Sequence, residues 1–158
     1  MMKARLYGML MMILAVCASA IAQDEFSDED LTKYATVMKW AQQEKAKMSK
    51  AVSAMVNGNE KLPVKAYKSL KAAEKAGDIT TAEATEEEAA EYMRITEAAN
   101  VLKADFTTVY KDKLKGDIGA SLYNKLKAAL KADEALKARY DAILEGIVIP
   151  EETEDSQE

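Results

Sequence analysis

Apolar residues recur at spacings of three and four along this chain, a periodicity that predicts helices. The first stripe is Leu31, Tyr34, Met38, Ala41, Lys45, Met48, Val52 and Met55, apolar for some seven turns apart from Lys45. Ser27 precedes it with Asp30 three positions on, the spacing of a capping box with aspartate in the usual glutamate place. Phe26 and Leu31 flank that box as a hydrophobic staple, and Asp28, Glu29 and Asp30 occupy the first turn, where the helix dipole favours acids. Asn57-Gly58-Asn59 is expected to stop the helix by taking the left-handed conformation.

Pro63 stands where a first-turn proline belongs, and Val64, Tyr67 and Leu70 begin a second, shorter helix that Gly77 should end. Thr85 and Glu88 form a true T-x-x-E box ahead of a long third stripe, Tyr92, Ile95, Ala99, Leu102, Phe106 and Val109, which Gly116 should close. The fourth stripe carries Leu122, Leu126, Ala129, Leu136, Tyr140 and Ile143 up to Gly146. Asp133 falls on that stripe and marks a kink or a break.

The stretch FSDEDLTKY, from Phe26, is echoed by ATEEEAAEY, from Ala84, with Ser27/Thr85, Asp30/Glu88 and Tyr34/Tyr92 at an offset of 58. The shorter helices also match, YKSLKAAEKA from Tyr67 against YNKLKAALKA from Tyr123, at an offset of 56. Repeats of this kind point to duplicated supersecondary units. The expected fold is therefore all-α: a four-helix bundle built from two tandem helical hairpins, because neither hairpin could bury its stripe alone. Repeat 1 covers about 26–77 and repeat 2 about 84–146, within a helical domain of 23–146. Tyr34 and Tyr92 are expected to face one shared core. Residues 147–158 end in EETEDSQE, five acids without a base, and read as a disordered acidic tail.

Composition adds an address. Lys3 and Arg5, an apolar run from Leu6 to Cys17 and the small-residue pattern Ala20-Ile21-Ala22 have the layout of a secretory signal peptide over 1–22, cleaved before Gln23. The expected location is periplasmic or secreted, with no stable membrane insertion after cleavage. Leu14-Ala15-Val16-Cys17 offers the rival reading of a lipid anchor on Cys17, although Val16 is larger than such a box wants. Loss of Lys3 and Arg5 leaves 20 basic and 27 acidic residues, an acidic product with no expected nucleic-acid partner. Charge is segmented: residues 33–75 hold ten lysines against three glutamates, and residues 78–105 hold eight acids against Arg94 and Lys103.

The chain has no histidine and its only cysteine is Cys17, which removes Ser-His-Asp and Cys-His catalysis and the usual ligands of zinc, copper, haem and iron–sulfur centres. No catalytic residue, metal ligand or cofactor is expected, and the chain is not read as an enzyme. Glu86, Glu87, Glu88 and Glu91 read as first-turn acids rather than a metal or acid/base site, since consecutive helical residues point in different directions. Asp24, Asp28 and Asp30 lack the glycine and distant glutamate of an EF-hand loop. Met38, Met48 and Met55 lie on the first stripe and read as core, while Trp40, beside that stripe, is either a core edge or an exposed anchor. The alanine faces of LKAAEKAG and LKAALKAD suit a solvated outer surface better than a membrane.

With Phe26 to Leu31 as an F-S-D-E-x-L helix start, and a tyrosine helix, Tyr123 to Ala129, running into Asp133 to Leu136, the chain resembles domain-of-unknown-function family 4168 over about residues 26–144. It departs from that family's pattern at Gly119 and Leu122, which are displaced from their usual place before the tyrosine helix. The resemblance implies an exported bacterial helical protein and brings no activity with it. The functional expectation is an exported, non-enzymatic helical protein acting through protein or cell-envelope contacts. Its alternative is a periplasmic chaperone-like binder of unfolded or partner polypeptides, which would need an exposed apolar concavity.

Overall fold

A computed structural model describes residues 25–150; the predicted signal peptide, Cys17, Asp24 and the acidic run after Pro150 lie outside the described residues. The described chain is all-helical, with no strand. Among the described residues five α-helices appear in place of the expected four: α1 Asp28–Asn57, α2 Val64–Ala76, α3 Glu86–Lys113, α4 Ala120–Ala132 and α5 Glu134–Gly146. A 3₁₀ turn, Ile79–Thr81, follows α2, and a π turn, Leu114–Ile118, follows α3. The fourth predicted helix is divided at Asp133, which sits in extended backbone at φ −122° and caps α5 by accepting from the amides of Ala135 and Leu136. A short acidic side chain offering the backbone this alternative partner breaks the helix without proline or glycine.

Both predicted capping boxes form. The Asp30 amide donates to Ser27 Oγ (3.1 Å) while the Ser27 amide donates to Asp30 Oδ2 (3.1 Å). Thr85 and Glu88 make the same reciprocal pair at 2.7 and 3.2 Å. The helix ends follow the expectations less closely. No residue of Asn57-Gly58-Asn59 has a positive φ; the chain leaves α1 through the Asn59 amide donating to the Val56 carbonyl, and Asn59 Oδ1 accepts from the Lys61 amide. Pro63 is the residue just before α2, not inside its first turn. Gly77, at φ 94°, ends α2 in a Schellman arrangement, its amide reaching Glu74 and that of Asp78 reaching Ala73. Gly116 does not close the third helix; the chain continues through the π turn to Gly119, at φ 83°, whose amide donates five residues back to Leu114.

Two compact units organise the described residues, each drawing on both predicted repeats. The first contains residues up to Ala41 and from Lys111 onward. Phe26, Leu31, Tyr34, Ala35, Val37, Ala41, Ile118, Leu126 and Leu136 are buried there. Tyr34 stacks on Tyr123 and meets Tyr140 edge-on, each at 5.7 Å between centroids. α5 is fixed to the start of α1 by Arg139, which donates to Asp28 Oδ1 (2.6 Å) and the Phe26 carbonyl (2.9 Å). Lys39 caps the other end of α5 by donating to the carbonyls of Leu144 (3.1 Å) and Ile147.

The second unit spans Gln42–Tyr110. Its core is Val56, Leu62, Ala66, Leu70, Tyr92 and Ile95, with Val52, Met55, Tyr67, Ile79 and Ala89 packed partly against it. Tyr92 tilts against Tyr67 at 5.4 Å and donates its hydroxyl to Glu74 Oε2 at 2.6 Å. Tyr34 and Tyr92 are thus both buried, as their shared offset predicts, but in separate cores. Burial collects at Leu31–Ala41 and Tyr92–Ile95, whereas Met48, Val52, Leu102 and Phe106 are half-buried and Val109, expected on the core stripe, is 48 % exposed.

Candidate functional site

The acids that drew attention in the sequence are dispersed among separate partners. Glu87 pairs with Lys61 (2.9 Å), Glu88 completes the cap at Thr85, and Glu91 accepts from Asn59 Nδ2 and Arg94 Nε, each at 2.9 Å. The Asn59 and Arg94 hydrogen bonds hold the Glu91 carboxyl below its ordinary value. Asp28 is taken by Arg139 and Asp30 by Ser27. Among the described residues no three His, Cys, Asp or Glu side chains group as a metal site. Trp40 is half-buried, with the Lys113 ammonium 5.3 Å from its ring centroid, so it is an edge residue of the first unit.

The surface with chemical character lies in the second unit. Met48, Val52 and Val56, four residues apart on α1, form a floor about 12 Å long at the rise of an α-helix. Val64 and Tyr67 of α2 and Ala99 of α3 complete an open groove of about 550 Å³. Lys68, Lys71 and Lys103 also line it, with Ser49, Ser53 and Asn57; no carboxylate does. Among the described residues none of these three lysines makes an ion pair. The Lys71 ammonium lies 5.7 Å from the Tyr67 centroid, a cation–π contact that leaves its other side to solvent.

The chain reverses between Asn57 and Val64, so Val56 and Val64 stand at one end of the groove and Met48 and Lys71 at the other. Lys45 lies 5.6 Å from the Phe106 ring, which sets Lys103, one turn earlier on α3, at the Met48 end. One end is therefore apolar and the other basic. No family model, curated protein or solved structure matches the chain. The character of the groove rests on its own residues.

The sequence places Met48 and Val52 on a core stripe and Lys71, within LKAAEKAG, on a solvated outer face. The structure brings these groups together along one half-open channel. Two signals were present: the lysine excess over residues 33–75, and the serines at 49 and 53 beside the stripe, too polar for a fully covered face. Lys103 carried no signal, because it lies in the acidic segment of the other repeat. No described helix is long and apolar enough to cross a membrane.

Proposed function

We propose that the chain is an exported, non-enzymatic helical protein, made of two tandem hairpins, that acts through protein or cell-envelope contacts made on its own helical surface. The observation that carries this reading is the open, lysine-lined groove of the second unit. Among the described residues no Asp, Glu, Lys or Arg is a buried residue, and the prominent carboxylates are occupied by caps and ion pairs, which supports binding over catalysis. Duplication is supported by helix boundaries: α1 and α3 start 58 residues apart, at Asp28 and Glu86, and α2 and α4 both contain 13 residues starting 56 apart, at Val64 and Ala120. The likeness to family 4168 lies in residues that cap or fill, Ser27, Asp30, Tyr123 and Leu126, and so bears on fold alone.

Export is tested by the intact mass of the protein released by a bacterial host, which should begin at Gln23. A product starting at an acylated Cys17 gives the lipid-anchored form, and retention of residues 1–22 sinks the export reading. A photo-crosslinking residue at Val52 should give a discrete adduct in envelope preparations, and one at exposed Lys111 should not. Equal labelling from both positions would rule out the groove as the working surface. The chaperone-like reading is favoured by Val64, 42 % exposed at the apolar end of the groove. It requires that the protein suppress aggregation of a chemically denatured substrate, as measured by light scattering, and that Val64→Asp abolish the effect.

A further inference from the structure

We propose that the groove of the second unit binds a single-chain amphiphile with an anionic head group, the chain lying on Met48, Val52, Val56 and Val64 and the head meeting Lys71 and Lys103. This deepens the reading of the groove as the working surface and depends on it. Its physical basis is the division of the groove into two chemical ends. The apolar end combines half-buried Val52 and exposed Val64 beside the already buried Val56, and covering the first two by a hydrocarbon chain would remove their surface from water. The basic end presents Lys71 and Lys103, with Lys68 between, and no acid in the lining. In a chain of formal charge −5 such a concentration of positive charge without counter-ions is complementary to an anion.

A volume of about 550 Å³ falls within the range of small-ligand sites, which are mostly apolar with a few convergent polar groups. An amphiphile matches both halves at once: a free carboxylate or phosphate leaves Val52 and Val64 uncovered, and an uncharged hydrocarbon leaves the exposed lysines without a counter-ion. Carboxylate and phosphate heads share the chemistry, and the two are separated by experiment.

The test is isothermal titration of the protein as released by the bacterial host with decanoate and with decyl phosphate, each below its critical micelle concentration. Decyl maltoside and decyltrimethylammonium serve as neutral and cationic controls. At least one anionic ligand should bind saturably at one site, and the controls at least tenfold more weakly. Whichever anion binds more tightly identifies the head group. Lys71→Glu with Lys103→Glu should lower the affinity at least tenfold while leaving the helical circular dichroism unchanged; Lys71→Gln with Lys103→Gln serves if the reversal unfolds the protein. A fluorophore on Val52→Cys should shift to the blue on binding, which locates the chain on the floor. Equal affinity for all four head groups, indifference to the lysine substitutions, or no spectral shift would overturn the proposal. Failure of both anions beside tight binding of a synthetic leucine–glutamate amphipathic peptide would also overturn it, while leaving the groove as a protein-docking surface.

Discussion

Replacing either buried tyrosine by alanine tests whether two residues 58 apart in the sequence do the same work in two settings. Tyr34 is 7 % exposed and touches two rings, Tyr123 and Tyr140. Tyr92 is 2 % exposed, touches Tyr67, and donates to the Glu74 carboxylate. Losing the phenol ring forfeits about 2–3 kcal/mol of transfer free energy at either site. At Tyr34 the two ring contacts add about 0.5–1.5 kcal/mol each. At Tyr92 one ring contact and one hydrogen bond add about as much, the latter at the low end, about 1 kcal/mol, because Glu74 is exposed and can turn to water. Both Tyr→Ala changes should therefore cost about 3–5 kcal/mol, the usual range for a large aromatic replaced in a core. The phenylalanine variants should separate them: Tyr34→Phe close to neutral, Tyr92→Phe costing about 1 kcal/mol. Urea melts of the four single variants read all of this. A Tyr92→Ala loss below about 1 kcal/mol, beside a large Tyr34→Ala loss, would mean that the repeated tyrosines are not structural equivalents.

Ser27→Ala and Thr85→Ala should each cost about 1 kcal/mol in the same melts, since each removes the acceptor of a formed cap. Asp133→Ala should cost a similar amount, about 1 kcal/mol, because the amides of Ala135 and Leu136 lose their shared acceptor. Stability should also fall in alkali. Burial first, then its tyrosine neighbours, pushes the Tyr34 phenol up to about 12, and burial followed by the bond to Glu74 does the same for Tyr92. Because the folded values exceed the ordinary one of 10.0, the stabilisation is complete below about pH 10 and is lost as pH rises toward 12. Thermal melts from pH 8 to 12 should decline over that window, and a flat profile would contradict the burial of both phenols.

What was legible in the sequence was local. Ser27-x-x-Asp30, Thr85-x-x-Glu88, Gly77 and Asp133 each act within a few residues of themselves, and each does what its neighbours predict. The first helix stops at Asn57, where Asn57-Gly58-Asn59 was expected to stop it, but without a left-handed residue, because glycine permits that backbone without requiring it; Gly116 was misjudged, since the π turn after Lys113 lets the chain pass it and turn at Gly119 instead. The stripes gave the right faces but not how thoroughly each is covered. Val109 and Leu136 have equivalent standing in the periodicity, yet one is 48 % exposed and the other 0 %. Coverage depends on which distant element arrives, and no spacing within a helix records that. The groove escaped notice for the same reason, since its lysines and valines come from three helices and two repeats.

The two long helices differ in length, 30 residues in α1 and 28 in α3, with starts 58 apart and ends, Asn57 and Lys113, 56 apart. Each helical residue turns the chain through about 100°, so two extra residues rotate everything beyond them by about 200°. The arms can therefore be in phase at their beginnings or at their ends, but not at both. In phase with the beginnings, Met48, Val52 and Val56 correspond to Phe106, Tyr110 and Leu114; in phase with the ends, they correspond to Ala104, Thr108 and Asp112. Neither alignment reproduces a slim aliphatic floor. The two residues by which α1 exceeds α3 are thus enough to leave one long helix with an aliphatic row that the other does not carry in either alignment.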